Sequence, residues 1–280
     1  MRKLINKAIP KTVGALLNAS SLINSKYAAA KALALFATPR KGVVKPHQKL
    51  FLDTAKAVQL DYNGYAIMTY HWKDTGKTVL LCHGWESNAY RWKKLIELLQ
   101  HENYNIIALD APAHGHSESK YFNAVLYSEF IHVVSNTYKP NVIVGHSVGG
   151  MASVIFQSNY GLDTLEKMVL LGAPSEFKTI LKNYIDLLGY NTKVVQSLEQ
   201  LIEDKFGAPP AAFSTAQFAQ SIEGVSSLII HDAHDPIIPF SDAELIEQNF
   251  KNSQLIKTTG HGHSLNHSDI YKQIIAFIDN

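Results

Sequence analysis

The sequence predicts an α/β protein built on a mostly parallel, eight-stranded sheet with helices on both faces. Short apolar segments typical of buried strands alternate with amphipathic segments typical of helices along most of the 280 residues. The links between them are short, as in strand–helix–strand units of a parallel sheet. One long interval, residues 174–224, contains helical patterns and no convincing strand. Because a structureless loop of that length is rare in a compact domain, we expect a helical cap inserted after the sixth strand.

The chain begins with a predicted helical extension. Residues 12–37 have the apolar spacing of one or two amphipathic helices, and a stretch with two prolines, 39–46, marks their end. We expect these helices to pack on the body of the protein; a membrane-surface or dimer contact is the alternative. The predicted organisation is an extension at 1–48, an α/β core at 49–173 and 225–280, and a cap at 174–224.

The predicted sheet opens with an antiparallel hairpin, because Asn63-Gly64 separates two strand-like segments at 58–61 and 65–72. Six further apolar segments predict strands at 78–81, 106–109, 142–144, 168–171, 228–230 and 254–257. Helical periodicity predicts core helices at 90–100, 127–138, 148–160, 242–250 and 268–278, and further helices at 177–188, 194–206 and 215–222.

Composition limits the classes of partner. The net charge is +2 and no long Lys/Arg run is present, so there is no electrostatic basis for binding nucleic acid. No segment has the charge-free apolar length of a transmembrane helix, and Lys11 and Asn18 interrupt the stretch that resembles a secretion signal. The single cysteine, Cys82, is expected to be a small buried thiol, compatible with a reducing compartment and a cytoplasmic protein. The oligomeric state is left open, with a homodimer as one option.

The most informative motif is Gly-His-Ser-Val-Gly-Gly at 145–150, between a predicted strand and a predicted helix. Gly145 and Gly149 lack Cβ atoms, which lets the strand and the helix approach closely. A serine at the apex of such a turn holds its Oγ clear of the sheet, above the helix N-terminus. This context predicts that Ser147 is a nucleophile; the alternative is an ordinary turn whose serine caps a helix.

Other chemically suggestive residues follow the predicted strands at their carboxyl ends, where ligands bind on open parallel sheets. His83-Gly84-Trp85-Glu86 follows the third strand, and residues 110–117 follow the fourth. Asp235 follows the seventh strand, and His263 lies between the eighth strand and the last helix. A serine, an acid and a histidine thus occur in this chain order at separate strand ends.

These motifs resemble the α/β-hydrolase superfamily over residues 58–280. Five matching segments occur in the family's order: HGW at 83–85, DAPAHGHS at 110–117, GHSVGG at 145–150, HDAHDPIIP at 231–239 and GHGHS at 260–264. Ala113 departs from the pattern, since many members have glycine there. A serine nucleophile excludes members that use aspartate, such as dehalogenases and most epoxide hydrolases.

The resemblance implies a role for each residue. Ser147 is the expected nucleophile, His263 the base that takes its proton, and Asp235 the acid that orients the histidine ring. The backbone N–H groups of Trp85 and Val148 are expected to form the oxyanion hole.

Three alternatives stay open. His261 could be the base, but His263 immediately precedes the last helix, where the family's histidine lies. Asp232 could be the acid, but it follows its strand directly, whereas Asp235 lies further out in the loop. Composition also allows a zinc site, although it would leave Ser147 without a role. The residues of that alternative are His231, Asp232, His234, His261, His263 and His267.

The implied reaction is hydrolysis of a small-molecule carboxylic ester with an apolar acyl group, through an acyl-enzyme intermediate and without metal or cofactor. Thioester, amide or carbon–carbon cleavage, acyl transfer, cofactor-free haloperoxidation and a non-catalytic binding role are the alternatives. The cap is rich in apolar side chains that could line an acyl pocket or could equally be structural. The expected substrate-binding residues are Trp85, Glu86, His146, Phe177 and Tyr184.

Overall fold

The computed structural model describes residues 2–280 and the side chains of residues 9–280, so Met1 of the predicted extension lies outside the described residues. The chain forms two compact units. One comprises the residues up to Thr38 together with Glu176–Ser214, and the other comprises Pro39–Ser175 and Thr215–Asn280. The extension and the cap, predicted as separate parts, therefore both contribute to one unit.

The secondary structure follows the predicted alternation. The strands are β1 (Lys56–Tyr62), β2 (Tyr65–Trp72), β3 (Thr78–Cys82), β4 (Asn105–Leu109), β5 (Val142–His146), β6 (Lys167–Leu171), β7 (Ser226–Asp232) and β8 (Ser253–Thr258). The helices are α1 (Arg2–Ser20), α2 (Ser25–Ala37), α3 (Pro46–Leu52), α4 (Lys93–His101), α5 (Ala124–Tyr138), α6 (Val148–Tyr160), α7 (Phe177–Leu188), α8 (Thr192–Phe206), α9 (Thr215–Ala219), α10 (Phe240–Asn249) and α11 (Ser268–Asp279). A short 3-10 helix, Ala89–Trp92, leads into α4.

All eight strands belong to one sheet, with the order β1-β2-β4-β3-β5-β6-β7-β8. Strand β2 runs antiparallel to β1 and to β4, and every other neighbouring pair is parallel. The predicted sheet of eight mostly parallel strands, opened by a hairpin at Asn63-Gly64, is confirmed. The carboxyl ends of β3 to β8 therefore lie along the same edge of the sheet.

Both faces of the inner strands of the sheet are buried, as strand β3 illustrates. Val79 and Leu81 belong to the hydrophobic layer that includes α4 and α11. Leu80 and Cys82 point the other way, into the layer that includes α5 and α6. All four side chains are fully buried, as expected where helices cover both faces of a parallel sheet. Burial also raises the pKa of the Cys82 thiol to about 12, which agrees with the prediction of an inert buried cysteine.

The smaller unit has its own hydrophobic core, in which helices α1 and α2 pack against α7 and α8. Buried alanines of α2 (Ala28, Ala29 and Ala32) lie in the same apolar cluster as Val194 and Leu198 of α8. Small side chains let helices approach closely, so these alanines suit a tight helix–helix contact.

Helix α9 is shorter than the predicted 215–222, since it ends at Ala219. It packs against α6 and α10 within the larger unit. Among the residues that the structure describes, no helix combines the length and the hydrophobicity required to cross a membrane.

Candidate active site

The turn between β5 and α6 holds Ser147 in a strained backbone conformation. Its φ is 53° and its ψ is −127°, a region that residues with a Cβ rarely adopt. Such strain costs on the order of 1–3 kcal/mol and persists where the surroundings hold it. Here the N–H of Ser147 donates to the carbonyl of Leu171 on the neighbouring strand β6, at 2.8 Å. The elbow that the sequence predicts is therefore formed, with the serine at its apex.

The glycines of the motif are required by close backbone contacts. A Cβ on Gly149 would lie 2.3 Å from the carbonyl oxygen of Cys82 and 2.5 Å from that of His83. A Cβ on Gly145 would lie 2.5 Å from the Cα of Gly150. These distances are far below van der Waals contact, so the helix can approach the strands only where side chains are absent.

A continuous chain of hydrogen-bonding distances joins Ser147, His263 and Asp235. The Nε2 of His263 lies 3.0 Å from the Oγ of Ser147, and its Nδ1 lies 2.7 Å from Oδ2 of Asp235. An ionised carboxylate only accepts hydrogen bonds, so Nδ1 is the protonated nitrogen and Nε2 is free to accept from the serine hydroxyl. The arrangement can therefore move the serine proton onto the histidine.

The carboxylate of Asp235 is held on its other side by the backbone. Its Oδ1 accepts from the N–H groups of Ile237 and Ile238, at 2.8 and 3.1 Å. Burial acts to raise the pKa of Asp235, but the hydrogen bonds from His263, Ile237 and Ile238 outweigh it, and the pKa lies below its ordinary value. The ionised form is thus favoured, as a partner for an imidazolium requires.

Asp232 and His261, the alternative acid and base, form contacts with residues other than Ser147. Asp232 accepts from the N–H of His261 at 2.8 Å, from the N–H of His234 at 3.0 Å and from the hydroxyl of Thr258 at 3.2 Å. The ring of His261 packs against that of His267, with centroids 4.9 Å apart. The structure thus brings His263 and Asp235, and neither alternative, to Ser147.

The residues of the zinc alternative make other contacts. His231 donates from Nε2 to the carbonyl of Ile238 at 3.0 Å, since a carbonyl can only accept. In the described part of the chain, no group of three or more His, Cys, Asp or Glu residues has an arrangement that could hold a metal ion.

The two backbone amides expected to stabilise an oxyanion lie next to the elbow. Val148 is the first residue of α6, so its N–H has no acceptor within the helix. Trp85 follows Gly84, whose missing Cβ would lie 2.9 Å from the Cβ of Ser147. The loop after β3 therefore passes directly beside the serine.

Two buried histidines shape this loop. His83 donates from Nδ1 to a backbone carbonyl at 2.7 Å and accepts at Nε2 from the N–H of Ala111 at 3.0 Å. His114 likewise donates from Nδ1 to a backbone carbonyl at 2.8 Å and accepts at Nε2 from the N–H of Glu86 at 2.9 Å. Burial lowers the pKa of both imidazoles, so each stays neutral and keeps these bonds.

Arg91 is a residue of this region that the sequence reasoning missed. Its guanidinium Nη2 donates to the backbone carbonyl of Ser264, the residue after His263. Burial lowers the pKa of Arg91 to about 10, so the side chain stays cationic at neutral pH. No motif marks this position, because an arginine near a helix start is ordinary in sequence.

Of the expected substrate-binding residues in the larger unit, Trp85 is the most accessible. Its side chain is 36% exposed, and its ring packs against His114 and Phe122 with centroids 5.5 and 5.2 Å apart. Glu86 accepts from the backbone N–H of Arg40 at 3.0 Å. His146 is buried beneath the elbow, where it contacts the loop that carries His263.

Phe177 and Tyr184 are partly buried and pack against the core of the smaller unit. Both rings contact Phe36 of α2, with centroids 6.0 and 4.8 Å apart. The hydroxyl of Tyr184 also donates to the carbonyl of Ala32 at 3.0 Å. Of the two predicted roles for apolar residues of the cap, lining an acyl pocket or structural packing, these contacts favour structural packing.

Comparison of the sequence with known proteins adds three findings, and comparison of the fold adds a fourth. The family model described as the alpha/beta hydrolase fold matches residues 77–196. The uncharacterized hydrolase YugF of Bacillus subtilis is 35% identical over 98 residues, which make up 33% of this chain and 36% of YugF. A pimeloyl-[acyl-carrier protein] methyl ester esterase of Vibrio vulnificus is 26% identical over 110 residues, or 38% of this chain and 42% of the esterase. The chain therefore spans less than half of the length of either relative.

A solved structure extends the likeness beyond these segments. The bromoperoxidase of Bacillus anthracis matches with a TM-score of 0.62, covering 80% of this chain and 100% of the bromoperoxidase chain. The sequence identity is 20%, so this likeness concerns the fold alone.

Proposed function

This chain is a protein of the α/β-hydrolase fold, and on that premise we propose that it is a serine hydrolase that cleaves carboxylic esters. The observation that carries the proposal is the chain of hydrogen bonds Ser147–His263–Asp235, at 3.0 and 2.7 Å. A serine hydroxyl is a weak nucleophile by itself, and a base within hydrogen-bonding distance is what activates it.

The reaction proceeds in two steps of acyl transfer. In the first, the Oγ of Ser147 attacks the ester carbonyl while His263 takes the serine proton, and His263 then gives that proton to the departing alcohol. In the second, water attacks the acyl-enzyme, His263 takes a proton from the water, and the carboxylic acid leaves as Ser147 regains its hydrogen. Asp235 stabilises the imidazolium in both steps through its contact with Nδ1.

The oxyanion of each tetrahedral intermediate binds the N–H groups of Trp85 and Val148. Removing one such donor typically costs about 3 kcal/mol of barrier. Support for this role comes from the position of Val148 at the helix start and from the passage of the 84–85 backbone beside Ser147.

Among the candidate reactions we choose ester hydrolysis, because the Vibrio vulnificus relative is named for cleavage of a methyl ester. The likeness to a bromoperoxidase favours cofactor-free haloperoxidation as the second candidate, since both reactions can use the same residues. We expect a small-molecule ester with an apolar acyl group, because Trp85 offers an exposed aromatic face next to the nucleophile. A cytoplasmic location and a homodimer stay predictions.

A series of p-nitrophenyl esters of increasing acyl length tests the proposal. We expect hydrolysis by the wild type and a loss of kcat of about 1,000-fold or more in Ser147→Ala. His263→Ala should be similarly inactive, whereas His261→Ala, the matched control, should keep most of the activity. Turnover by Ser147→Ala at the wild-type rate contradicts the proposal. Peroxide-dependent bromination without ester hydrolysis favours the second candidate.

A further inference from the structure

The charges of this chain are distributed very unevenly. The first 52 residues contain ten Lys and Arg and no acidic residue, and Asp53 is the first carboxylate. The rest of the chain contains 16 Lys and Arg and 24 Asp and Glu. The small net charge of +2 therefore conceals a strongly basic N-terminal segment.

The apolar side chains of helix α1, which belongs to this segment, lie on two different faces of the helix. Val13 and Leu17 pack into the core of the smaller unit, and Gly14 lies against the backbone of Leu188. Leu16 points away from this core and is 67% exposed. An apolar face beyond the one needed for packing is a feature of helices with a second binding surface.

The exposed apolar side chains continue from α1 through the turn into α2. Leu22 is 70% exposed and Ile23 is 94% exposed. We call this set the N-terminal apolar ridge; its members are Ile9, Leu16, Leu22, Ile23 and Tyr27.

Exposed lysines border the ridge. Lys26 precedes Tyr27, and the Nζ of Lys31 lies 5.4 Å from the centroid of the Tyr27 ring. Neither lysine forms an ion pair with the residues that the structure describes. Lys11 donates to the backbone carbonyl of Asp186 at 2.7 Å and, among the described residues, forms no ion pair. The surface thus combines exposed apolar groups with free positive charge.

We propose that the N-terminal apolar ridge docks on the surface of an anionic lipid bilayer. Apolar side chains next to lysines, in a segment of the sequence without acidic residues, suit such a surface: the apolar groups enter the interface and the cations contact phosphates. A second copy of the chain fits less well, because it would bring two basic, acid-free segments together. The docking is independent of the ester-hydrolase proposal, although it would bring such an enzyme to a surface rich in acyl esters.

Vesicle co-sedimentation of the full chain tests the docking. The two vesicle preparations are phosphatidylcholine alone and phosphatidylcholine mixed with phosphatidylglycerol. We expect binding to the mixed vesicles that weakens with added salt, and little binding to phosphatidylcholine alone. Each lysine near an anionic surface contributes about fivefold in binding, so Lys26→Glu with Lys31→Glu should reduce it by well over tenfold.

Matched variants test whether vesicle binding depends on the ridge itself or only on the overall charge and hydrophobicity of the protein. Ile23→Ser should reduce binding several-fold, whereas Leu245→Ser, an exposed leucine of α10, should not. Lys94→Glu on α4 changes the charge in the same direction and should have a smaller effect than either ridge lysine. All of these positions are exposed, so thermal unfolding and hydrolysis of a soluble ester should stay at wild-type values.

Three outcomes overturn the docking proposal. One is a wild-type protein that stays in the supernatant with phosphatidylglycerol vesicles. Another is binding that neither Ile23→Ser nor the double lysine variant weakens. The third is a dimer, seen by light scattering, that Ile23→Ser dissociates while no vesicle binds, since this assigns the ridge to a second copy. None of them bears on ester hydrolysis, which is measured separately on soluble substrates.

Discussion

His146 and His263 are joined by a hydrogen bond that links the nucleophile elbow to the loop of the proposed base. The Nε2 of His146 lies 2.9 Å from the backbone carbonyl oxygen of His263, so His146 donates. Burial, together with the nearby positive charge of Arg91, lowers the pKa of His146 well below its ordinary value and keeps it neutral. With Arg91 on the carbonyl of Ser264, two consecutive carbonyls of this loop have a side-chain donor.

We expect His146→Ala to lower kcat by about tenfold or more, because the loop loses a donor that fixes the ring of His263 opposite Ser147. An unsatisfied buried carbonyl also costs about 1–3 kcal/mol of stability. Steady-state kinetics and thermal unfolding measure the two effects. His146→Gln, which can supply a donor at a similar distance, is the control and should recover part of the rate. Wild-type kcat in His146→Ala contradicts this positioning role.

Gly149→Ala should lower the free energy of unfolding by about 3 kcal/mol, since its Cβ would meet two backbone carbonyl oxygens at 2.3 and 2.5 Å. The neighbouring Gly150→Ala is the matched control. Its nearest contact is the Cβ of Ala173 at 3.0 Å, and we expect a loss of about 1 kcal/mol. Urea denaturation of both variants tests the difference. Equal effects would show that the approach of α6 to the carbonyls of Cys82 and His83 is not what requires glycine.

Ala113 has a φ of 61°, in the left-handed region that favours glycine, at the position where many α/β hydrolases have glycine. We expect Ala113→Gly to stabilise the protein by about 1 kcal/mol and to raise Tm by about 2–4 °C. Gly161→Ala is the reverse experiment, since Gly161 has a φ of 59° and nothing within 4 Å of an added Cβ. It should lower Tm by a similar amount. A fall in Tm for Ala113→Gly would show that the methyl group of Ala113 stabilises the loop more than its conformation costs.

The contribution of Asp235 to stability should depend on pH. Its pKa is lower in the folded protein than in the unfolded chain, because the hydrogen bonds from His263, Ile237 and Ile238 outweigh the effect of burial. The ionised carboxylate therefore stabilises the fold above the unfolded pKa of about 3.9, and this stabilisation is lost as the pH falls through the folded pKa.

We therefore expect the difference in free energy of unfolding between wild type and Asp235→Asn to be largest near neutral pH and to shrink below about pH 4. Urea denaturation across this range measures it. Asp163→Asn, at an exposed position, is the control and should show little difference at any pH. A difference for Asp235→Asn that does not change with pH would contradict the prediction.

The sequence by itself determined the fold class and the elbow. Strand and helix periodicity are local properties of the chain, and they led to a mostly parallel sheet of eight strands. The need for glycine at 145 and 149 is also readable locally, since the GHSVGG segment lies between a strand pattern and a helix pattern. The same reasoning identified Ser147 as the residue at the apex.

Only the tertiary structure decided which residues lie beside Ser147. His261 and His263 differ by two positions, and Asp232 and Asp235 by three, so no periodicity separates them. The choice depends on how the loops after β7 and β8 fold. His261 contacts Asp232 through its backbone N–H and His267 through its ring, whereas His263 contacts Ser147. Arg91 and the donor role of His146 depend on contacts between residues 173 and 117 positions apart, which no local pattern encodes. The grouping of the N-terminal helices with α7 and α8 is likewise a matter of long-range packing, because apolar faces show that a helix must pack but not against which partner.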